Sequence, residues 1–79
     1  MTFRGAVPNS QTLGRILQQA RLARGLTQQQ VAEELGISQR YVWELEAGKP
    51  SLVMTRLFAF MRLTGMTLQA EIPEDADEA

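Results

Sequence analysis

Residues 27–48, TQQQVAEELGISQRYVWELEAG, hold the spacing that decides the fold. Thr27 can cap a helix, because its hydroxyl can accept a hydrogen bond from a backbone N–H of the first turn. Val31 and Leu35 follow at helical spacing. Gly36 then ends this helix, since glycine adopts the left-handed conformation without steric cost. The first half of the stretch therefore predicts one short capped helix.

The second half repeats the design. Ser38 can cap a helix over residues 39–47, with Val42 and Leu45 on its inner side, and Gly48 ends it. Two short helices joined by a tight turn with a glycine form a helix-turn-helix. The usual work of this motif is to place its second helix in the major groove of DNA.

Composition limits what else the chain does. At 79 residues it is one small domain whose core is marginal, so we expect oligomerisation. It has no cysteine and no histidine, which removes disulfides, thiolate metal sites and the commonest general base. We expect no enzyme activity, no cofactor and no metal. Without a signal peptide or a membrane-spanning run, we expect a soluble cytoplasmic protein.

The net charge of −1 hides an uneven distribution. Residues 71–79 hold five acids and no base, whereas residues 1–70 hold eight bases against four acids, a net charge of +4. A basic body with an acidic tail is compatible with phosphate binding. We divide the chain into a flexible arm (1–10), a helix-turn-helix domain with a dimerisation strand (11–72), and an acidic tail (73–79).

The arm has no periodicity; Arg4 could reach DNA, or the segment could simply be disordered. The first helix is expected from Gln11 or Thr12 to Arg24. Arg21 lies on the flank of its apolar stripe, where a partly buried arginine needs a carboxylate. Glu46 is the candidate partner in a structural salt bridge, and the alternative is a solvated Arg21.

The C-terminal third carries more apolar surface than one small core needs. A fourth helix over roughly residues 53–64 is apolar on more than one side, which indicates either core plus chance exposure or a subunit interface. Residues 66–72 alternate apolar and polar as a strand does, and no other segment has that pattern. We therefore expect this lone strand to pair with its copy across a two-fold axis. The expected dimer interface comprises Phe58, Met61, Met66, Leu68, Ala70 and Ile72.

The pattern R-x-x-x-G-L-T-Q-x-x-V-A-x-x-L-G-I-S-x-x-x-V-x-x-L-E-x-G-K over residues 21–49 resembles the XRE-type (lambda-repressor/Cro-like) helix-turn-helix family. A longer match, through GKPS to the terminal strand, resembles its HipB-like antitoxin branch. The resemblance implies a mainly α fold: a four- to five-helix lambda-repressor-like DNA-binding domain with a short C-terminal β-strand pairing across a dimer. It also implies a dimeric autorepressor of a palindromic operator that binds a HipA-type kinase toxin, and a pair between the residues at positions 21 and 46.

The family's base-reading positions fall on Gln39, Arg40, Trp43 and Glu44. Gln39 can pair with adenine, and Arg40 with guanine or a phosphate. Trp43 departs from the small or polar residue usual there; it could pack on a thymine methyl or a sugar, or cover its own scaffold. Glu44 would accept a hydrogen bond from cytosine N4 or would orient Arg40.

The resemblance also implies phosphate contacts. Gln28 matches the glutamine that opens the second helix, with its backbone N–H at the positive end of the helix dipole. Lys49 matches the basic residue after the E-x-G turn. Tyr41 could bond a phosphate or pack against the second helix. The expected function is a sequence-specific repressor and HipB-like antitoxin; the alternatives are a module that mainly neutralises a HipA-type kinase, or a regulator without a toxin.

Overall fold

The computed structural model describes residues 3–74 as a mainly helical chain with one small antiparallel sheet. The predicted mainly α class is confirmed, whereas the sheet within one chain was not predicted. The acidic tail beyond residue 74 lies outside the described residues. The elements in chain order are β1 (Phe3–Ala6), α1 (Ser10–Ala23), α2 (Gln28–Leu35), α3 (Gln39–Ala47), α4 (Leu52–Thr64) and β2 (Gln69–Ile72).

The helix-turn-helix has the predicted caps. The Thr27 hydroxyl accepts from the Gln30 N–H at 3.0 Å, and the Gln30 side chain accepts from the Thr27 N–H at 2.8 Å, so both groups are satisfied reciprocally. Ser38 caps α3 in the same way, accepting from the Tyr41 N–H at 3.0 Å. Gly36 is left-handed, with φ of +68°, and ends α2. These local signals fix the angle at which α3 leaves α2.

The arm and the lone strand are corrected by the structure. Residues 3–6 form β1, which pairs antiparallel with β2 so that Phe3 lies opposite Ile72. The Val7 N–H extends the ladder by donating to the Leu68 carbonyl at 2.8 Å. β2 thus finds a partner strand within its own chain. The prediction missed β1 because backbone pairing requires no apolar alternation, and the sequence FRGA has none.

The core explains a second correction. Phe58, Met61 and Ile72, predicted at a dimer interface, are at most 8% exposed and pack with Val7 and Ile16 inside one chain. The inner side of α4 packs on α1 and the sheet. Because those three side chains are buried there, they are not available to contact a second subunit. The remaining predicted interface residues divide: Leu68 and Ala70 pack partly buried on the same cluster, whereas Met66 is exposed.

The start and first turns of α1 approach the end of α3 closely. A methyl group added at Gly14 would overlap the Glu46 carbonyl, so only glycine allows this distance. The Ser10 hydroxyl donates to the Gly48 carbonyl at 3.2 Å across the same contact. α1 therefore supports the C-terminal end of α3 directly, and α2 also packs against α3.

Candidate nucleic-acid interface

One side of α3 is polar and faces solvent. At about 100° per residue, Gln39, Arg40, Trp43 and Glu44 fall within one continuous arc, while Val42 is buried on the opposite side. Gln39, Arg40 and Trp43 are exposed, and Glu44 is partly buried. The structure thus brings the four predicted base-contacting residues to one surface. Trp43 is 54% exposed, which fits both packing on DNA and covering its own scaffold.

Glu44 connects two basic side chains at this surface. Its carboxylate lies 3.8 Å from Arg40 Nε, one helical turn earlier, and 3.0 Å from Lys49 Nζ, just beyond the end of α3. Both bases are largely exposed, so each pair stabilises the fold by only ~0–1 kcal/mol. The arrangement is that of a carboxylate which orients basic side chains, one of the two roles considered for Glu44.

The predicted contact between Arg21 and Glu46 is present and extends further. Arg21 donates from Nε to Glu46 Oε2 at 2.6 Å and from its Nη2 to Oε1 at 3.0 Å, a bidentate pair. Its Nη1 donates to the Leu26 carbonyl at 2.9 Å, just before α2. The two side chains are only 12% and 8% exposed. The hydrogen bond from Arg21 keeps the pKa of Glu46 below its usual value against the opposing effect of burial.

Gln28 joins this network at the start of α2. Its side-chain Nε2 donates to Glu46 Oε1 at 3.1 Å, so one carboxylate holds both Arg21 and Gln28. The first backbone N–H groups of a helix have no partner within the helix and carry its positive dipole end. The bond to Glu46 therefore holds Gln28 at the start of α2, at a position suited to a phosphate contact, and links it to α3. Tyr41 is 55% exposed.

Three of these contacts were not predicted from the sequence. They are the bonds from Gln28 to Glu46, from Arg21 to the Leu26 carbonyl, and from Lys49 to Glu44. A weak signal existed for the last, because residues 44 and 49 flank the glycine that ends α3. The other two depend on how α1, α2 and α3 pack, which no local pattern specifies.

Two capped helices across a glycine turn, with an exposed polar side on the second, define a helix-turn-helix protein. The chain belongs to a helix-turn-helix domain family, which matches residues 12–74. Membership places it among DNA-binding regulators, a class that is typically not enzymatic. Comparisons with curated proteins and with solved structures give no match. Among residues 3–74, no helix is long and apolar enough to cross a membrane.

Proposed function

We propose that this chain is a sequence-specific transcriptional repressor that binds a palindromic operator in double-stranded DNA as a homodimer. The observation that carries the proposal is the exposed polar side of α3, held by the largely buried side chains of the Arg21–Glu46 pair and by the close approach of α1. A side chain reads a base edge only when its backbone is held rigidly at the groove. This frame supplies that rigidity.

In the proposed complex, α3 lies in the major groove with its N-terminal residues at the base edges. Gln39 pairs with adenine N6 and N7, and Arg40 pairs with guanine O6 and N7 or with a phosphate. Glu44 orients Arg40 and Lys49, and its alternative role is to accept from cytosine N4. Trp43 packs on a thymine methyl or a sugar, or remains part of the scaffold.

The phosphate contacts flank this helix. The backbone N–H of Gln28 donates to one phosphate at the start of α2. Lys49 binds a second through its ammonium group, and the Tyr41 hydroxyl donates to a third. The +4 net charge of residues 1–70 supports this assignment, because neutralising phosphates supplies most of the sequence-independent affinity.

Lys49→Ala and Gln39→Ala are expected to weaken DNA binding in different ways. Loss of Lys49 removes a phosphate contact, so binding should weaken equally on all sequences and the salt slope should fall by about one unit. Loss of Gln39 removes base readout, so cognate binding should lose about 1–3 kcal/mol while binding to mixed-sequence DNA is unchanged. Fluorescence anisotropy over a salt series measures both.

Arg4→Ala is the matched control for charge, because it also removes one exposed base. Arg4 lies in β1 opposite Glu71, at 3.6 Å, and not in a free arm, so we expect no DNA contact from it. The substitution should leave both affinities near their original values. Equal losses on cognate and mixed-sequence DNA for Gln39→Ala would contradict its role in base readout.

We further propose that the protein is a HipB-like antitoxin that represses its own transcription and binds a HipA-type kinase toxin. The support is the resemblance, which extends past the helix-turn-helix through residues 49–51 to the terminal strand. Co-expression with a kinase from an adjacent reading frame tests this: a stable complex that suppresses kinase activity is expected. Its absence leaves the alternative of a stand-alone XRE-type regulator.

A further inference from the structure

The outer side of α4 is apolar and uncovered. Its five large apolar side chains are between 47% and 87% exposed, and they recur at helical spacing opposite the buried Phe58 and Met61. We call this surface the α4 outer face. It comprises Leu52, Val53, Leu57, Phe60 and Leu63.

This face is large for so small a protein. Five such side chains, with Met66 exposed just beyond the helix, offer on the order of 700 Å² of apolar surface, against ~800 Å² per partner in a stable interface. Monomeric proteins rarely leave patches of several hundred Å² uncovered. Within the described residues the core buries only seven apolar side chains, so burial of this face would nearly double the set.

We propose that a second copy of this chain covers the α4 outer face, helix against helix across a two-fold axis. This inference rests on the proposed function, because a palindromic operator is read by two α3 helices related by a two-fold axis. A symmetric interface requires one surface that complements itself, and an apolar helical face does so through interdigitating side chains.

The charges around the face are compatible with this packing. α4 carries only Arg56 and Arg62 among its charged residues, and no acid. Arg62 lies on the far side of α4, near Phe58, outside the face. Arg56 lies within the face, where its aliphatic stem can cover apolar surface while its guanidinium extends to water at the rim.

Leu63→Glu is expected to break the dimer without unfolding the chain. Leu63 is 87% exposed in one chain, so the substitution costs little within it but places a charge inside the proposed interface. Leu35→Glu is the matched control, because Leu35 is 64% exposed on α2 and receives the same change. In sedimentation equilibrium of the full chain, Leu63→Glu should raise the dimer dissociation constant by about 100-fold or more, and Leu35→Glu should leave it unchanged. Both should retain the helical circular dichroism.

Cross-linking provides a second measurement that does not depend on tolerance of glutamate. The chain has no cysteine, so Phe60→Cys introduces one thiol per copy and Leu35→Cys provides the control. A short bifunctional thiol reagent should link Phe60→Cys into covalent dimers at micromolar concentration and should give no covalent dimer of Leu35→Cys.

A wild-type chain that sediments as a monomer, or a Leu63→Glu variant that dimerises as well as wild type, would overturn the proposed interface. DNA binding is measured separately on a mixed-sequence duplex. A chain that binds DNA but does not dimerise leaves DNA binding by α3 standing, and refutes both this interface and the homodimer. A dimer that binds no DNA would support the interface and refute the proposed DNA-binding function.

Discussion

Replacing Glu46 with alanine is expected to lower the free energy of unfolding by about 3–5 kcal/mol. Its carboxylate accepts two hydrogen bonds from Arg21 and one from Gln28, and it is only 8% exposed. Removing it leaves the guanidinium of Arg21, whose side chain is only 12% exposed, without its counter-charge. A chain of this size has little stability in reserve, so the variant should be largely unfolded at physiological temperature.

Urea denaturation of the single and double variants measures this loss. Arg21→Ala should cost a similar amount, and the double variant should cost much less than the sum of the two, because each partner is stranded only while the other remains. Glu71→Ala is the control, since its pair with Arg4 is exposed and contributes ~0–1 kcal/mol. Additive losses below 1 kcal/mol for Arg21 and Glu46 would show that both side chains are solvated.

The same pair predicts how stability depends on pH. Because its hydrogen bond with Arg21 lowers the pKa of Glu46, this carboxylate stabilises the fold above its unfolded pKa, near 4.5. That contribution is lost as the pH falls below about 4.5 and through the folded-state pKa. Glu46→Gln should therefore be less stable than wild type at neutral pH, and the difference should shrink in acid. A difference that stays constant with pH would contradict this assignment.

Gly48→Ala is expected to destabilise the chain by about 2–5 kcal/mol, because two penalties add. Gly48 has a φ of +68°, a left-handed conformation that disfavours any side chain. An added methyl group would also lie 2.5 Å from the Gln11 Cα and 2.7 Å from the Ser10 carbonyl oxygen, both backbone atoms of α1. The α1–α3 contact would have to open.

Gly36→Ala separates the two penalties. Gly36 has the same φ of +68°, but no atom lies within 4 Å of an added methyl group. It should therefore cost only the conformational penalty of about 1–2 kcal/mol. Thermal unfolding of both variants gives the comparison. Equal losses would mean that α1 moves aside easily at Gly48.

The part of this fold that the sequence predicts is the part with local causes. Thr27 and Ser38 cap their helices because hydroxyl, N–H and chain direction are all set within four residues. Gly36 and Gly48 end them for an equally local reason. The Arg21–Glu46 pair spans 25 positions, yet it was predictable because a buried charge requires an opposite one.

The rest depends on the whole chain. β1 is selected by its backbone partner β2 rather than by side-chain pattern, so its four residues resemble a loose arm in the sequence. The apolar surplus of α4 was predicted, but the assignment of its two sides was not: Phe58 and Met61 belong to the core, and Leu63 is exposed. When a helix is apolar on more than one side, the elements packed against it decide which side faces inward.

DNA recognition by α3 can be tested by selection of duplexes from a random library with the wild-type chain. We expect enrichment of a palindrome whose half-sites lie one helical turn apart, about 34 Å. Gln39→Ala should shift the preferred base at one position in each half-site. A final pool with no sequence in common, bound no more tightly than the starting library, would contradict the claim that α3 reads DNA.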